Sequence, residues 1–449
     1  MPGSAAVTPA AASPEAVQPR TPWRRFRTPD RRLLTASVAL QLALATLFGH
    51  SYDTRVFMAA GYLVGTGRSP YTPQDLSAVF HHPLFDVMTS VGYPPPWPLV
   101  TGALYRLSYA VVPDLLVYDL ALKVPVIAAT IGLAYLVAAV LQFRGAPPAA
   151  CRRAWLLLLF NPLLLFTGAA WGQIDAIVAL LALASLLLVW MGRDASAAAL
   201  LALAVCTKPT AWPIVIVVLV FLGGRSWRRV LRYAATLVPV ALALVVLPFL
   251  VLGWSPDPIL RHWNAQLSMS GTMSLTTVVR ALHGPLPTTG WWWLLGLAWI
   301  VALAIAAVAL RRGIGDFEDL LRKSVALVLV FFLTRAWLSE PNVVLVLPLV
   351  LILSSLGTLP RGAFTALWGI PLAFAAFNAA PLQLLFVAFP GAMARALAAF
   401  DELRPVTLAM RAVLVVAWQV AGWWVVVTCF RRRGDYADAE TEAIVGATP

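Results

Sequence analysis

Asp53 stands just beyond an apolar run, in the segment His50-Ser51-Tyr52-Asp53-Thr54-Arg55. A carboxylate at a membrane exit sits at the depth of a lipid headgroup, where it can remove the proton from a substrate hydroxyl. The bland alternative is an interfacial carboxylate that is solvated or paired with Arg55. Further on come Gly65-Thr66-Gly67-Arg68-Ser69-Pro70-Tyr71, then His81-His82 with Asp86, then Tyr93-Pro94-Pro95-Pro96. The two histidines and Asp86 form a weak ligand pattern that does not indicate a metal.

Four further groups carry charge inside or beside apolar runs. Asp175, in Trp171-Gly172-Gln173-Ile174-Asp175, lies a residue or two inside an apolar run. A carboxylate in lipid normally faces a polar cavity or a partner, although one that opens a helix also offsets the dipole and caps amides. Lys208, in Cys206-Thr207-Lys208-Pro209-Thr210, sits in a tight turn of a chain that otherwise uses arginine. It reads as an ammonium that holds a phosphate, with a snorkelling lysine as the alternative. Arg261-His262-Trp263-Asn264 suits a phosphate and a sugar face, or an interfacial belt like Trp291–Trp293. Arg335, Glu340 and Asn342 bracket another turn, either as a structural ion pair or as walls of the cavity that holds Asp175.

The elements that must position these residues follow from composition. The chain has 449 residues, of which 60% are hydrophobic and only 12% charged, and its mean hydropathy is +0.81. A soluble protein needs about 25% charged residues, so lipid must replace water around most of this chain. The net charge of +13 comes from arginines set between apolar runs, not from a basic face, which excludes a nucleic-acid partner. Cys151, Cys206 and Cys429 are isolated, with neither disulfide nor metal spacing.

Apolar runs at roughly 33–49, 119–141, 154–170, 174–190, 196–207, 210–223, 233–252, 291–310, 324–338, 342–357, 363–389 and 407–430 predict an all-α, polytopic integral membrane protein of about 12 transmembrane helices. The basic loops then all fall on one side, with both termini cytoplasmic. Counting 96–112 as a span would invert every later loop, so it reads as a re-entrant or juxtamembrane helix. Residues 1–32 form a disordered basic arm, 33–430 the membrane domain, and 431–449 a cytoplasmic tail. Outer loops at 50–118 and 253–290 hold most of the polar residues found between spans.

The ordered set is more specific than any single motif. An Asp follows the first span, then come G-x-G-x-x-P-Y, Tyr-Pro-Pro, Asn161-Pro162, Trp-Gly-Gln-x-Asp and Thr-Lys-Pro. Over about residues 33 to 360 the chain resembles the GT-C superfamily of polytopic glycosyltransferases. More narrowly it is similar to bacterial polyprenyl-phosphomannose-dependent mannosyltransferases. The resemblance implies that Asp53 is the catalytic carboxylate. It carries the Tyr-Pro-Pro element onto Tyr93-Pro94-Pro95, the membrane-embedded motif onto Gln173 and Asp175, and the Lys-Pro element onto Lys208-Pro209. The chain departs from the mannoside enzymes where they carry Trp-Ser-His-His-Trp, since Leu338-Ser339-Glu340-Pro341-Asn342 stands there.

These readings lead to an enzyme of the plasma membrane with its active site on the outer face. The donor is a sugar, mannose by resemblance, on a polyprenyl phosphate, and the acceptor is a glycolipid or glycan. Lys208, Arg261, His262, Gln173, Asp175 and Arg335 would bind donor phosphate and sugar, with Tyr93, Trp171, Glu340 and Asn342 shaping the acceptor side. No cofactor is expected. Phosphate is a good leaving group, so one base suffices, unlike the carboxylate pair of hydrolytic glycosidases. No glycine-rich phosphate loop follows a strand, which excludes a nucleotide-sugar donor. The competing class is a lipid or small-molecule transporter, which calls for repeat symmetry and polar residues near the midplane.

Overall fold

A computed structural model describes residues 30–86, 91–269, 271–284, 294 and 296–431. The basic arm, the C-terminal tail and Trp291–Trp293 therefore lie wholly or largely outside the described residues. Among these residues the regular structure is almost entirely helical. Gly271–Thr272 pairs in parallel with Trp337–Leu338 in a two-stranded ribbon.

Among the described residues four helical stretches are long and apolar enough to cross a membrane: Leu115–Phe143, Pro148–Ala170, Trp227–Leu252 and Arg404–Phe430. Six apolar helical segments of 10–17 residues accompany them. At 1.5 Å per residue these fall short of a hydrocarbon core of about 30 Å. The chain is thus an all-α membrane protein.

The apolar patterning explains the packing. The helix Phe317–Thr334 is apolar all round from Val325 to Leu333 and is buried along most of its length. It packs against the helices Pro213–Gly223, Ala298–Ala309, Leu347–Ser355 and Arg404–Phe430. Trp227–Leu252 behaves oppositely: it leans on Asp194–Thr207 but leaves Leu242, Val246, Leu250 and Val251 exposed. An apolar face with no protein partner is a lipid-facing one.

Several breaks are chemical. Asn161 accepts from the amides of Leu163 and Leu164 at 3.0 and 3.2 Å, and Pro162 follows at the first helical position, where its missing N–H costs nothing. The Asn-Pro pair is therefore a helix start inside the 154–170 run. The expectation of one span over 363–389 needs correction. The helix there ends at Phe377; Asn378 and a left-handed Ala379 (φ 57°) then turn the chain into the short helix Ala380–Gln383. That turn binds the segment ahead of Asp53: Gly49 N–H donates to Leu384 O at 2.7 Å and Ser51 N–H to Gln383 O at 3.0 Å. Within 96–112 the helix is Pro96–Tyr109. Its 14 residues are too few to cross a bilayer, and it packs along Asp53–Gly65.

Candidate active site

Asp53 is the first residue of the helix Asp53–Gly65, where the helix dipole favours a negative charge. Its Oδ2 accepts a hydrogen bond of 2.7 Å from the indole Nε1 of Trp171. No hydrogen bond to Oδ1 is found among the described residues, and the side chain keeps 19% of its surface exposed. Arg55 does not pair with it. That guanidinium donates to the Leu84 carbonyl and feels the charge of Asp86 instead.

His50 organises the turn before Asp53. Its Nδ1 accepts from the amides of Tyr52 and Asp53 at 3.2 and 3.3 Å, and its ring stacks on Trp171 with centroids 4.2 Å apart and planes 5° from parallel. Burial lowers its pKa to about 4, against the opposing pull of Asp53. The imidazole is therefore neutral near pH 7, and its 3.5 Å approach to Asp53 Oδ2 is not an ion pair. Thr54 Oγ1 ties the same turn to Trp171 O at 3.2 Å.

Trp171 is held by an unusual local path. Leu165–Ala170 form one turn of π-helix, a widening often found at functional sites. Gly172 follows with φ 86°, and a Cβ there would press on the Lys123 side chain at 3.3 Å. The chain then enters the helix Asp175–Trp190. Here Asp175 caps no amide. Its Oδ2 takes the Lys208 ammonium at 2.7 Å, while Oδ1 is buried with no hydrogen-bond partner among the described residues. Lys208 does not snorkel, being buried with a second bond to Gln173 Oε1 at 3.2 Å. Tyr93 OH donates to that same oxygen at 3.3 Å. Burial, with the charges of Asp53 and Asp175 adding to it, raises the Tyr93 phenol well above its usual range, so it stays a donor.

The remaining candidates divide. Glu340 is buried, with its Oε1 accepting from Asn378 Nδ2 at 3.0 Å. Burial pushes its carboxyl up to about 7 against these hydrogen bonds, and the charge of Asp53 adds to the rise. Asn342 is buried nearby in sequence, and its Oδ1 has no partner among the described residues. His262 packs against Gly92, where a Cβ would collide with its ring, and Trp263 Nε1 donates to Gly92 O at 3.0 Å. The helix Asp257–Ser268 is thereby held beside Tyr93. Arg261 on that helix is exposed, and Arg335 lies over the Phe331 ring at 5.0 Å. Among the described residues neither joins the hydrogen-bonded network, and Arg335 makes no ion pair with Glu340. His82 Nδ1 accepts from the Leu84 amide at 3.2 Å, as a local turn residue.

Residues not assigned a role from sequence complete the neighbourhood. Lys123 pairs with Asp119 at 2.6 Å, both buried. Its Nζ also donates to Ala45 O at 3.0 Å and to Phe48 O. It thus ties off the last carbonyls of Arg31–Leu47 directly before the His50 turn. Its rarity among arginines was a signal, and the i, i+4 spacing to Asp119 was another. Asn378 was hidden inside an apolar run.

No curated protein matches the chain. The family model described as Glycosyltransferase family 87 matches residues 92–341. That stretch holds Tyr93, Trp171, Gln173, Asp175, Lys208, Arg261, His262, Arg335 and Glu340, while Asp53 precedes it. With more than half of its length matched, and with its apolar helical architecture, the chain belongs to glycosyltransferase family 87 and is a membrane glycosyltransferase of the GT-C type.

Proposed function

We propose that this glycosyltransferase moves a sugar, mannose by resemblance, from a polyprenyl phosphate to a lipid or glycan acceptor. The reaction takes place at the outer face of the plasma membrane, in a domain of about twelve spans with both termini cytoplasmic. Asp53 acts as the base. It takes the proton of the acceptor hydroxyl, whose oxygen attacks the anomeric carbon opposite the phosphate and inverts it. The phosphate leaves with the bonding electron pair, already stable as an anion, so no general acid is needed.

The observation that carries this reading is the setting of Asp53. One carboxylate oxygen is fixed by Trp171, the other has no hydrogen-bond partner among the described residues, and the side chain remains partly exposed. A carboxylate held through one oxygen and open at the other can take the proton of an approaching hydroxyl. Gln173, Asp175 and Lys208 supply a polar wall for the sugar, Tyr93, Glu340 and Asn342 shape the acceptor side, and Arg261, His262 and Arg335 stand on the donor side. Membership of a glycosyltransferase family favours this reading over a transporter.

The test is an assay of membranes containing the protein with labelled polyprenyl-phosphomannose, comparing wild type with Asp53→Ala and Asp53→Asn. Loss of a base costs about 10²–10⁴-fold. Undiminished transfer in both variants removes Asp53 as the base. Transfer only from a different lipid-linked sugar corrects the sugar and keeps the reaction.

A further inference from the structure

Asn378 joins Glu340 to a second polar region. Its Nδ2 donates to Glu340, and its Oδ1 accepts from Arg411 Nη1 at 3.0 Å. Arg411 opens onto a cavity of about 600 Å³ that Arg280 and Arg404 also line. Arg404, Leu408 and Arg411 recur at helical spacing on one face of Arg404–Phe430, and Arg280 comes from Leu275–His283, which packs against that helix.

Three guanidiniums around one cavity repel each other, and the charges of Arg280 and Arg404 both act on Arg411, against the opposite pull of Glu340. Among the described residues none of the three has a carboxylate within ion-pair distance. Asp401 lines the cavity without pairing with them. Such a cluster costs free energy until an anion enters, and the planar forks of arginine match a phosphate with paired, charge-assisted bonds. Lys208 is not available for this task in the same way, because Asp175 already neutralises it.

The cavity also adjoins apolar surface. Leu397 and Leu408 lie on its wall, and Leu403, Val406 and Val413 of the same helix region stand exposed. A phosphate head with an apolar tail fits both surfaces, whereas a free anion uses only one.

We infer that Arg280, Arg404 and Arg411 form the cradle for the phosphate of a polyprenyl-phosphate lipid, with its tail leaving across the exposed Leu403–Val413 face. This rests on the donor class proposed above. It moves the phosphate site from Lys208 to the arginine cluster and links it through Asn378 and Glu340 to the neighbourhood of Asp53.

The test uses the full chain in nanodiscs of phosphatidylcholine and measures binding of three probes: a polyprenyl monophosphate, the uncharged polyprenol of the same length, and inorganic phosphate. The monophosphate is expected to bind at least tenfold more tightly than either of the others. Arg280→Gln and Arg404→Gln should each weaken it about tenfold or more, leave polyprenol binding unchanged, and be partly rescued by Arg→Lys. Arg404 is exposed, so its variants should fold; an unchanged melting temperature checks this. A folded Arg280→Gln/Arg404→Gln double variant that binds the monophosphate like wild type overturns the assignment. So does inorganic phosphate that binds as tightly as the lipid. Asp53→Asn should bind the monophosphate normally. A wild type that binds through the arginines yet transfers no sugar leaves this site standing and removes the donor chemistry instead.

Discussion

The indole Nε1 of Trp171 donates to Oδ2 of Asp53 at 2.7 Å, across 118 residues of chain. Two segments that look independent in sequence, the turn after the first helix and the Trp-Gly-Gln-x-Asp element, thus form one unit. The indole fixes which oxygen of the carboxylate faces outward, and the His50 ring stacked on it fixes the indole. Trp171→Phe keeps the stacked ring and removes the donor. Hydrogen bonds to charged groups contribute about 1.5–3 kcal/mol, so kcat should fall roughly 10- to 100-fold while KM changes little. Steady-state transfer rates check this, and an unchanged kcat would dismiss the positioning role.

The Lys208–Asp175 pair holds two charges out of water. Removing one partner strands the other, which typically costs about 3–5 kcal/mol. Lys208→Met should therefore lower the melting temperature of the detergent-solubilised protein sharply. Adding Asp175→Asn should return much of that loss. A double variant no more stable than the single would mean that Asp175 is balanced by groups other than Lys208.

Lys123 anchors the C-terminal carbonyls of Arg31–Leu47 while paired with Asp119. The same charge logic predicts that Lys123→Met destabilises and that Lys123→Met/Asp119→Asn recovers stability. Activity should behave differently: the double variant still lacks the ammonium that holds the turn before Asp53, so transfer should stay reduced. Full activity in a stable double variant would make Lys123 purely structural.

His50 gives a pH dependence of known sign. Its folded pKa, about 4, lies below the ordinary value of 6.5, so below pH 6.5 the unfolded chain takes up a proton that the folded chain refuses. Stability should be intact above about pH 6.5 and fall as pH drops toward 4, by on the order of 3 kcal/mol over the whole window. His50→Asn removes the titrating group, and its melting temperature should lose less across that range than wild type does. Parallel curves for the two proteins would refute the assignment.

Much of this molecule was legible from local pattern. Apolar runs and a scarcity of charge specify a helical membrane protein, because lipid tolerates only backbones that satisfy their own hydrogen bonds. Asp175 and Lys208 stood out because charge is costly where they lie, and Asp53 because it directly follows the first apolar run. Tertiary contacts decided what each charge does. The sequence left Asp175 open between a cap and a cavity group and left Lys208 open between snorkelling and phosphate, and the fold joins them to each other. It also separates Arg55 from Asp53, ends a helix at Phe377 and gathers Arg280, Arg404 and Arg411 from distant segments. Hydropathy and periodicity are properties of neighbours along the chain. A charge's partner is set by which helices pack side by side, and here that meant contacts between residues tens to more than a hundred positions apart.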